Sequence, residues 1–228
     1  MAYIYRINPE RKRTFWNFNV TLTLILMNVI VFITALILVS IYPNFIESIA
    51  LKPSNIFQGK YLWTFLTSMF MHAGFFHLFV NMFSLLFVGN LVEKLIGRKR
   101  YFWFYIISGL FAGLFFAGIE FFFQSNPDVA AVGASGALFG IIGLLMVLTP
   151  NLPVYVMFIP IPIKIKYAAP GILIVLWLIS ISPTLFGGQQ ILIGNTAHLG
   201  GLILGIAYGI YLRNKYKNKA RMISKYFS

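Results

Sequence analysis

The stretch of sequence that decides the fold runs from Val20 to Ile41 and reads VTLTLILMNVIVFITALILVSI. It holds no charged residue, and a helix that crosses a membrane needs about 20 mainly apolar residues. A basic head precedes it, as in a signal peptide, but the stretch is too long for a signal-peptide core and has no small-residue cleavage site. We therefore expect a helix that stays in the membrane.

Composition extends this expectation to the whole chain of 228 residues. Hydrophobic residues make up 59% and charged residues only 10%, whereas a soluble domain carries about 25% charged residues. Too few charges remain to cover a water-soluble surface, and the abundance of apolar residues excludes a disordered chain. Because the apolar runs leave no room for a second, soluble domain, we expect one membrane domain over residues 1–228, with short basic tails.

Apolar runs along the chain predict six transmembrane helices. The predicted helices are Val20–Ile41, Phe75–Val92, Tyr101–Phe123, Ser135–Leu148, Ala168–Ile181 and Ala197–Leu212. Between them, Pro43–Met71 is of mixed character and suits a loop in the membrane interface. Prolines interrupt Thr149–Tyr167, and Pro183–Gly194 is predicted to be an outer loop. The sequence thus predicts an all-α membrane protein, a bundle of six transmembrane helices.

Basic residues set the direction of this bundle. The net charge is +13, from 18 Lys+Arg against 5 Asp+Glu. Basic residues cluster before the first helix, between the second and third, between the fourth and fifth, and after the sixth, whereas the opposite loops hold only Lys52 and Lys60. The positive-inside rule then places both termini in the cytoplasm. We expect an integral multi-pass protein of the cell membrane, whose positive charge faces membrane lipid and not nucleic acid.

Four polar side chains stand out, because polar groups are costly within a membrane. Ser135 begins the fourth helix, His198 lies near the start of the sixth, and His77 with Asn81 near the start of the second. In the predicted topology these three helices enter from the non-cytoplasmic side. The four side chains are therefore expected at a similar depth.

These residue types suit nucleophilic acyl transfer. A serine hydroxyl needs a base to take its proton, so Ser135 is the candidate nucleophile and His198 the candidate base. The N–H groups that open a helix lack intrahelical acceptors, so the Ser135 amide can bind an oxyanion, together with His77 and Asn81. Phe139, one turn after Ser135, is a candidate ring to stack on His198.

Each of these residues also has a structural interpretation. Ser135 lies among small residues, such as Gly133 and Gly136, that allow close approach of a substrate or simply of a neighbouring helix. Gly201 and Gly205 likewise fit the small-xxx-small packing pattern. The His77–Asn81 pair can instead bridge two helices by hydrogen bonds.

The sequence lacks the residues that other hydrolase mechanisms require. Cysteine is absent, no His-Glu-x-x-His zinc motif occurs, and Asp128 is the one aspartate, so a two-aspartate mechanism is excluded. No metal or cofactor is expected. Glu120, near the outer end of the third helix, stays open as a third catalytic group, although a serine–histidine dyad is favoured. A small-molecule transporter is an alternative, disfavoured because the acids lie near helix ends.

The motifs resemble those of the rhomboid family of intramembrane serine proteases over about residues 63–205. Four family patterns are present: Gly-x-Ser-Gly at 133–136, Ala-His-x-x-Gly-x-x-x-Gly at 197–205, His-x-x-x-Asn at 77–81 and Gly-x-x-x-Glu-x-x-x-Gly at 89–97. The resemblance implies Ser135 as nucleophile, His198 as base, and His77 with Asn81 as oxyanion ligands. His72 matches a further loop histidine of the family.

The resemblance also implies a substrate, namely single-pass membrane proteins cleaved near the non-cytoplasmic boundary. The fifth helix or the Pro183–Gly194 loop would act as gate or cap, and the oligomeric state is open. One residue departs from the family pattern, because many members carry Trp-Arg in the first outer loop where this chain has Trp63-Thr64. This departure concerns the anchoring of that loop. A catalytically silent rhomboid-like protein that binds membrane clients is the alternative.

Overall fold

The structure is a computed structural model that describes residues 18–123, 127–156, 159–186 and 194–227, with the backbone alone for 180–186. The described chain is mostly helical. Its longer helices are α1 (Val20–Ile41), α4 (Phe75–Ser84), α5 (Asn90–Ile96), α6 (Arg98–Phe123), α7 (Ser135–Leu148), α8 (Ile165–Phe186), α9 (Asn195–Lys215) and α10 (Lys217–Tyr226). Short helices Pro43–Ser48, α2 (Pro53–Phe57) and α3 (Thr64–Thr67) follow α1.

Within the described ranges, three helices are long and apolar enough to cross a membrane. These are α1, the segment Phe75–Ile96 and α6. The second consists of α4, a π-helical stretch Leu85–Gly89 and α5. The bounds of α1 agree with the prediction, whereas the second helix runs four residues past the predicted Val92. Their length and apolar composition indicate an integral membrane protein.

The later helices confirm most predicted positions and correct one. Helix α7 has the predicted bounds, and α9 begins two residues before the predicted Ala197. Helix α8 begins at Ile165, three residues before the predicted Ala168, and the prediction that a loop begins at Pro183 is wrong, because α8 continues to Phe186. A proline removes a single backbone donor, a loss that membrane helices tolerate. The rest of the predicted loop, residues 187–193, lies outside the described residues.

Two secondary-structure elements that include basic residues were not predicted from the sequence. The proline-rich segment forms a small antiparallel hairpin, in which β1 (Pro153–Val154) pairs with β2 (Ile163–Lys164). The basic tail forms α10, whose Ala220 is buried against the main core. Apolar runs cannot reveal such a helix, because most of its residues are charged or polar.

Helices α7 and α9 pack backbone against backbone. A methyl group added to Gly201 would collide with the Gly136 carbonyl, and one added to Gly205 with the Gly140 carbonyl. Helix α6 closes the third side, since a methyl group on Gly136 would lie 2.7 Å from the Ala112 methyl carbon. This packing holds the first turns of α7 and α9 side by side.

Glu93, at the end of the second helix, anchors the first turn of α1. Its carboxylate accepts hydrogen bonds from the Val20 N–H at 3.1 Å, the Thr21 N–H at 2.9 Å and the Thr21 hydroxyl at 2.8 Å. Arg98 forms an ion pair with the same carboxylate at 3.3 Å. Two N–H groups of the helix start, which have no intrahelical acceptor, are thereby satisfied.

Candidate active site

Ser135 and His198 meet at the end of the bundle opposite to Glu93. The His198 Nε2 lies 2.7 Å from the Ser135 Oγ, although the two residues are 63 positions apart in the chain. Ser135 begins α7, and His198 lies in the first turn of α9 with 7% of its surface exposed. The distance suits a strong hydrogen bond from hydroxyl to imidazole. The close packing of α7 on α9 makes this contact possible.

The orientation of His198 comes from packing. The Phe139 ring stacks on the imidazole, with 4.6 Å between centroids and 20° between planes. Among the described residues, the His198 Nδ1 has no hydrogen-bond partner. Glu120 therefore does not orient this imidazole, and the arrangement is a pair of residues without a carboxylate. Ring stacking stabilises such a geometry by about 1 kcal/mol.

His77 points its second ring nitrogen at the space beside Ser135. Its Nδ1 accepts a hydrogen bond from the Ala73 N–H at 3.4 Å, so in the neutral ring the proton lies on Nε2. A methyl group built on Gly133 would lie 3.0 Å from this Nε2 and 3.6 Å from the Ser135 Oγ. Gly133 also has a φ of +123°, where a side chain is strained. Glycine thus leaves open a space lined by a donor and the hydroxyl.

Asn81 has a less direct relation to the space beside Ser135. It is buried one turn after His77, and its Nδ2 donates to the His77 carbonyl at 2.8 Å. An amide nitrogen carries two hydrogens, so one N–H is used within the helix and one remains. The first turn of α7 supplies further donors, because its N–H groups lack intrahelical acceptors.

The loop before Ser135 is fixed by backbone hydrogen bonds that the sequence did not signal. The Gly133 N–H donates to the Ser68 carbonyl at 2.8 Å, and Leu51 pairs with Ala131 as an isolated β-bridge. Both partners belong to the segment between α1 and α4. That segment, predicted to be an interface loop, therefore holds the loop that leads into Ser135.

Trp63 and Thr64 lie within the same segment. The Trp63 indole N–H donates to the Ser48 carbonyl at 2.8 Å, and the fully buried Thr64 donates its hydroxyl to the Tyr61 carbonyl at 2.7 Å. No arginine occurs in this segment, but Lys52 forms an ion pair with Glu47 at 2.8 Å. The hydrogen bond from Lys52 lowers the pKa of the Glu47 carboxyl below its usual range.

His72 is a buried neighbour of His77. The two rings meet edge to face with centroids 5.1 Å apart, and Phe32 packs on the other side at 6.3 Å. Burial, followed by the nearby His77, lowers the pKa of His72 to about 4. The ring is therefore neutral near pH 7, which suits a packing role beside the site.

A family model matches more than half of the chain. Residues 59–215 match the family model of the rhomboid domain. This range contains Ser135, all three histidines and the glycines of the α7–α9 contact.

Curated proteins with similar sequences carry related names. The chain is 34% identical over 189 residues to RHOMBOID-like protein 6, mitochondrial, from Arabidopsis thaliana, covering 78% of this chain and 56% of that protein. It is 31% identical over 213 residues to rhomboid protease AarA from Providencia stuartii, covering 83% and 71%. Inactive RHOMBOID-like protein 8 from Arabidopsis thaliana is 35% identical over 89 residues, covering 39% and 24%. This chain thus spans about half the length of its plant relatives or less.

Proposed function

The chain belongs to the rhomboid family, and we propose that it is an active intramembrane serine protease. The observation that supports this most is the 2.7 Å contact between the His198 Nε2 and the Ser135 Oγ. The contact lies beside an open space that donors line on the other side. A purely structural serine–histidine contact would require no such space.

In the proposed reaction, the Ser135 hydroxyl gives its proton to the His198 Nε2 while its oxygen attacks the carbonyl carbon of the scissile peptide. The tetrahedral intermediate then collapses, the C–N bond breaks, and His198 donates the proton to the leaving amine. Water, deprotonated by the same imidazole, hydrolyses the acyl-serine ester and restores the hydroxyl. His198 acts twice without an orienting carboxylate, held by the Phe139 ring.

The negative oxygen of the intermediate would occupy the space beside Gly133. The His77 Nε2–H, the Ser135 N–H and the second N–H of Asn81 are the donors that we assign to it. Removing one such donor costs on the order of 10²–10³ in rate. Gly133 contributes by having no side chain in that space.

We further propose that one domain of six transmembrane helices carries this site near the non-cytoplasmic boundary, with both termini in the cytoplasm of a cell membrane. The support is the positive-inside pattern of the basic residues. The proposed substrates are single-pass membrane proteins. A helix hides its carbonyls in its own hydrogen bonds, so a substrate helix must unwind before Ser135 attacks it. Lateral access past α8 is the proposed route.

The test is cleavage of a model single-pass substrate by the purified chain in detergent and in vesicles. Ser135→Ala and His198→Ala are expected to lower cleavage by on the order of 10⁶, to below detection. Ser40→Ala is the matched control, because this exposed hydroxyl bonds only its own helix, and it should cleave like the original chain.

Two further results discriminate between the alternatives. A serine-directed fluorophosphonate should label Ser135 in the control and leave Ser135→Ala unlabelled. Unchanged cleavage by Ser135→Ala would refute the proposed nucleophile. No cleavage of any single-pass substrate, together with no labelling, would favour the catalytically silent client binder. The name of one relative, Inactive RHOMBOID-like protein 8, makes this outcome worth testing.

A further inference from the structure

A groove runs between α6 and α9 at the end of the bundle opposite to Ser135. Its volume is about 420 Å³. Lys99 and Arg100 lie at its mouth, and Trp103, Ile107 and Leu204 line its length. Phe104 and Tyr208 form its floor, stacked at 4.8 Å between centroids. A strongly basic mouth therefore leads into an apolar channel.

The charges at the mouth are arranged to meet an anion. Of the described residues that line the groove, none is acidic. The ammonium of Lys99 has no partner among the described residues. Arg100 is held in position by Tyr216, to whose hydroxyl it donates at 3.2 Å. Lys215, the last residue of α9, brings a third cation to the same end of the bundle.

The length of the groove fits a lipid better than a free anion. Lys99, Trp103 and Ile107 succeed one another every four residues on one face of α6. At 1.5 Å per residue they span about 12 Å, close to the roughly 15 Å of one hydrocarbon leaflet. Trp103 and Ile107 are each about half exposed. A free phosphate would use the basic mouth and leave this apolar length unused.

The geometry points to a binding site for one anionic phospholipid in the groove between α6 and α9. The headgroup phosphate binds Lys99 and Arg100, and an acyl chain lies along Trp103, Ile107 and Leu204. The site rests on the proposed direction of the chain, which turns these cations toward the leaflet rich in anionic lipid. It does not rest on protease activity, because the groove and Ser135 lie at opposite ends of the bundle.

Native mass spectrometry of the full chain in detergent tests the site, with phosphatidylglycerol titrated against phosphatidylcholine of the same acyl chains. We expect one phosphatidylglycerol retained at concentrations where phosphatidylcholine is lost. Lys99→Gln with Arg100→Gln should weaken phosphatidylglycerol binding by on the order of tenfold or more. The matched control, Lys164→Gln with Lys166→Gln, removes the same charge elsewhere and should retain the lipid.

Two further variants keep the test independent of folding defects. Lys99→Gln alone breaks no contact within the described residues and should weaken binding by a smaller factor. Trp103→Ala should weaken both lipids, because it removes the apolar wall. Equal retention of the two lipids, an equal loss in the control, or displacement of the lipid by soluble glycerol phosphate at matched concentration would overturn the site. Cleavage plays no part in the readout, so a failed protease proposal leaves this result interpretable.

Discussion

Helices α7 and α8 are sequence neighbours of similar composition, yet they are packed in opposite ways. Helix α7 is buried over most of its length and meets α9 without side chains between the backbones at Gly201 and Gly205. Helix α8 packs through Ala169 and Leu173 on one side and leaves the large side chains of its other side exposed. A close-packed contact between two backbones leaves no room for movement, whereas a helix that is packed on one side only can move at a modest cost in free energy.

In the proposed protease, this difference would separate two tasks, namely holding the catalytic pair and admitting the substrate. Ser135 and His198 lie on the close-packed pair, where their 2.7 Å contact is held fixed. Helix α8 lies beside this pair, where the proposed substrate route needs movement. The comparison predicts that changes in the α7–α9 contact damage catalysis, while equal changes in α8 are tolerated.

The largest expected effect comes from filling the contact between the two helices. Gly205→Val should abolish cleavage and cost about 3 kcal/mol or more of stability, because its side chain would meet the backbone of α7. Gly171→Val, in α8, is the matched control, since a side chain there meets nothing within 4 Å. Thermal unfolding and cleavage would be measured on both. Equal damage by the two variants would break the comparison.

The second largest effect is expected from His77, whose Nε2 faces the open space beside Ser135. His77→Ala should lower the cleavage rate by on the order of 10²–10³, because one oxyanion donor is lost. Asn81→Ala should cost less, since one of its N–H groups already serves its own helix. Phe76→Ala, an exposed neighbour of His77, is the control. If the single-turnover rate of His77→Ala stays unchanged, this histidine has a packing role and does not bind the oxyanion.

A smaller effect is expected where the Phe139 ring of α7 stacks on His198. Phe139→Leu should lower the rate by about threefold to tenfold, as loss of a stacking contact of about 1 kcal/mol implies. Leu173→Ala changes the same apolar cluster from the α8 side. It should lower the unfolding temperature while leaving the rate within about threefold of the original. A larger rate loss in Leu173→Ala than in Phe139→Leu would assign the orientation of His198 to α8.

The smallest effect is a dependence of stability on pH. The pKa of His72 is about 4 in the folded chain, below its ordinary value of 6.5, so the unfolded chain binds the proton more readily. The contribution of neutral His72 to the free energy of unfolding is present above pH 6.5 and is lost progressively as the pH falls toward 4. At about pH 5.5 the loss is about 1 kcal/mol. Unfolding measured from about pH 7 to 5 should vary less steeply in His72→Gln, and an identical slope would contradict the assignment.

Apolar runs were sufficient to predict the bounds of α1 and α7, because a helix within the membrane is apolar along its length whether it faces lipid or is buried against other helices. Their polar character and predicted common depth singled out Ser135, His198, His77 and Asn81. Helix α10 was missed, because a charged helix leaves no apolar run. The contacts of Gly133 with Ser68 and of Leu51 with Ala131 were also missed. Both contacts join backbone groups that every residue carries, so no particular residue type in the sequence predicts them.

The carboxylate of Glu93 has a consequence for the order of biosynthesis. The first helix emerges from the ribosome with two N–H groups that only a residue 72 or 73 positions later will satisfy. Until the second helix has been synthesised and inserted, the Val20 and Thr21 N–H groups have no partner but water and headgroups, whereas the Leu22 N–H already donates to the Asn19 side chain. The pairing of the first two helices is therefore completed only after Glu93 has been synthesised, and Arg98 follows five residues later to neutralise the acid. A ribosome stalled before this point would hold an α1 whose first turn is still unanchored.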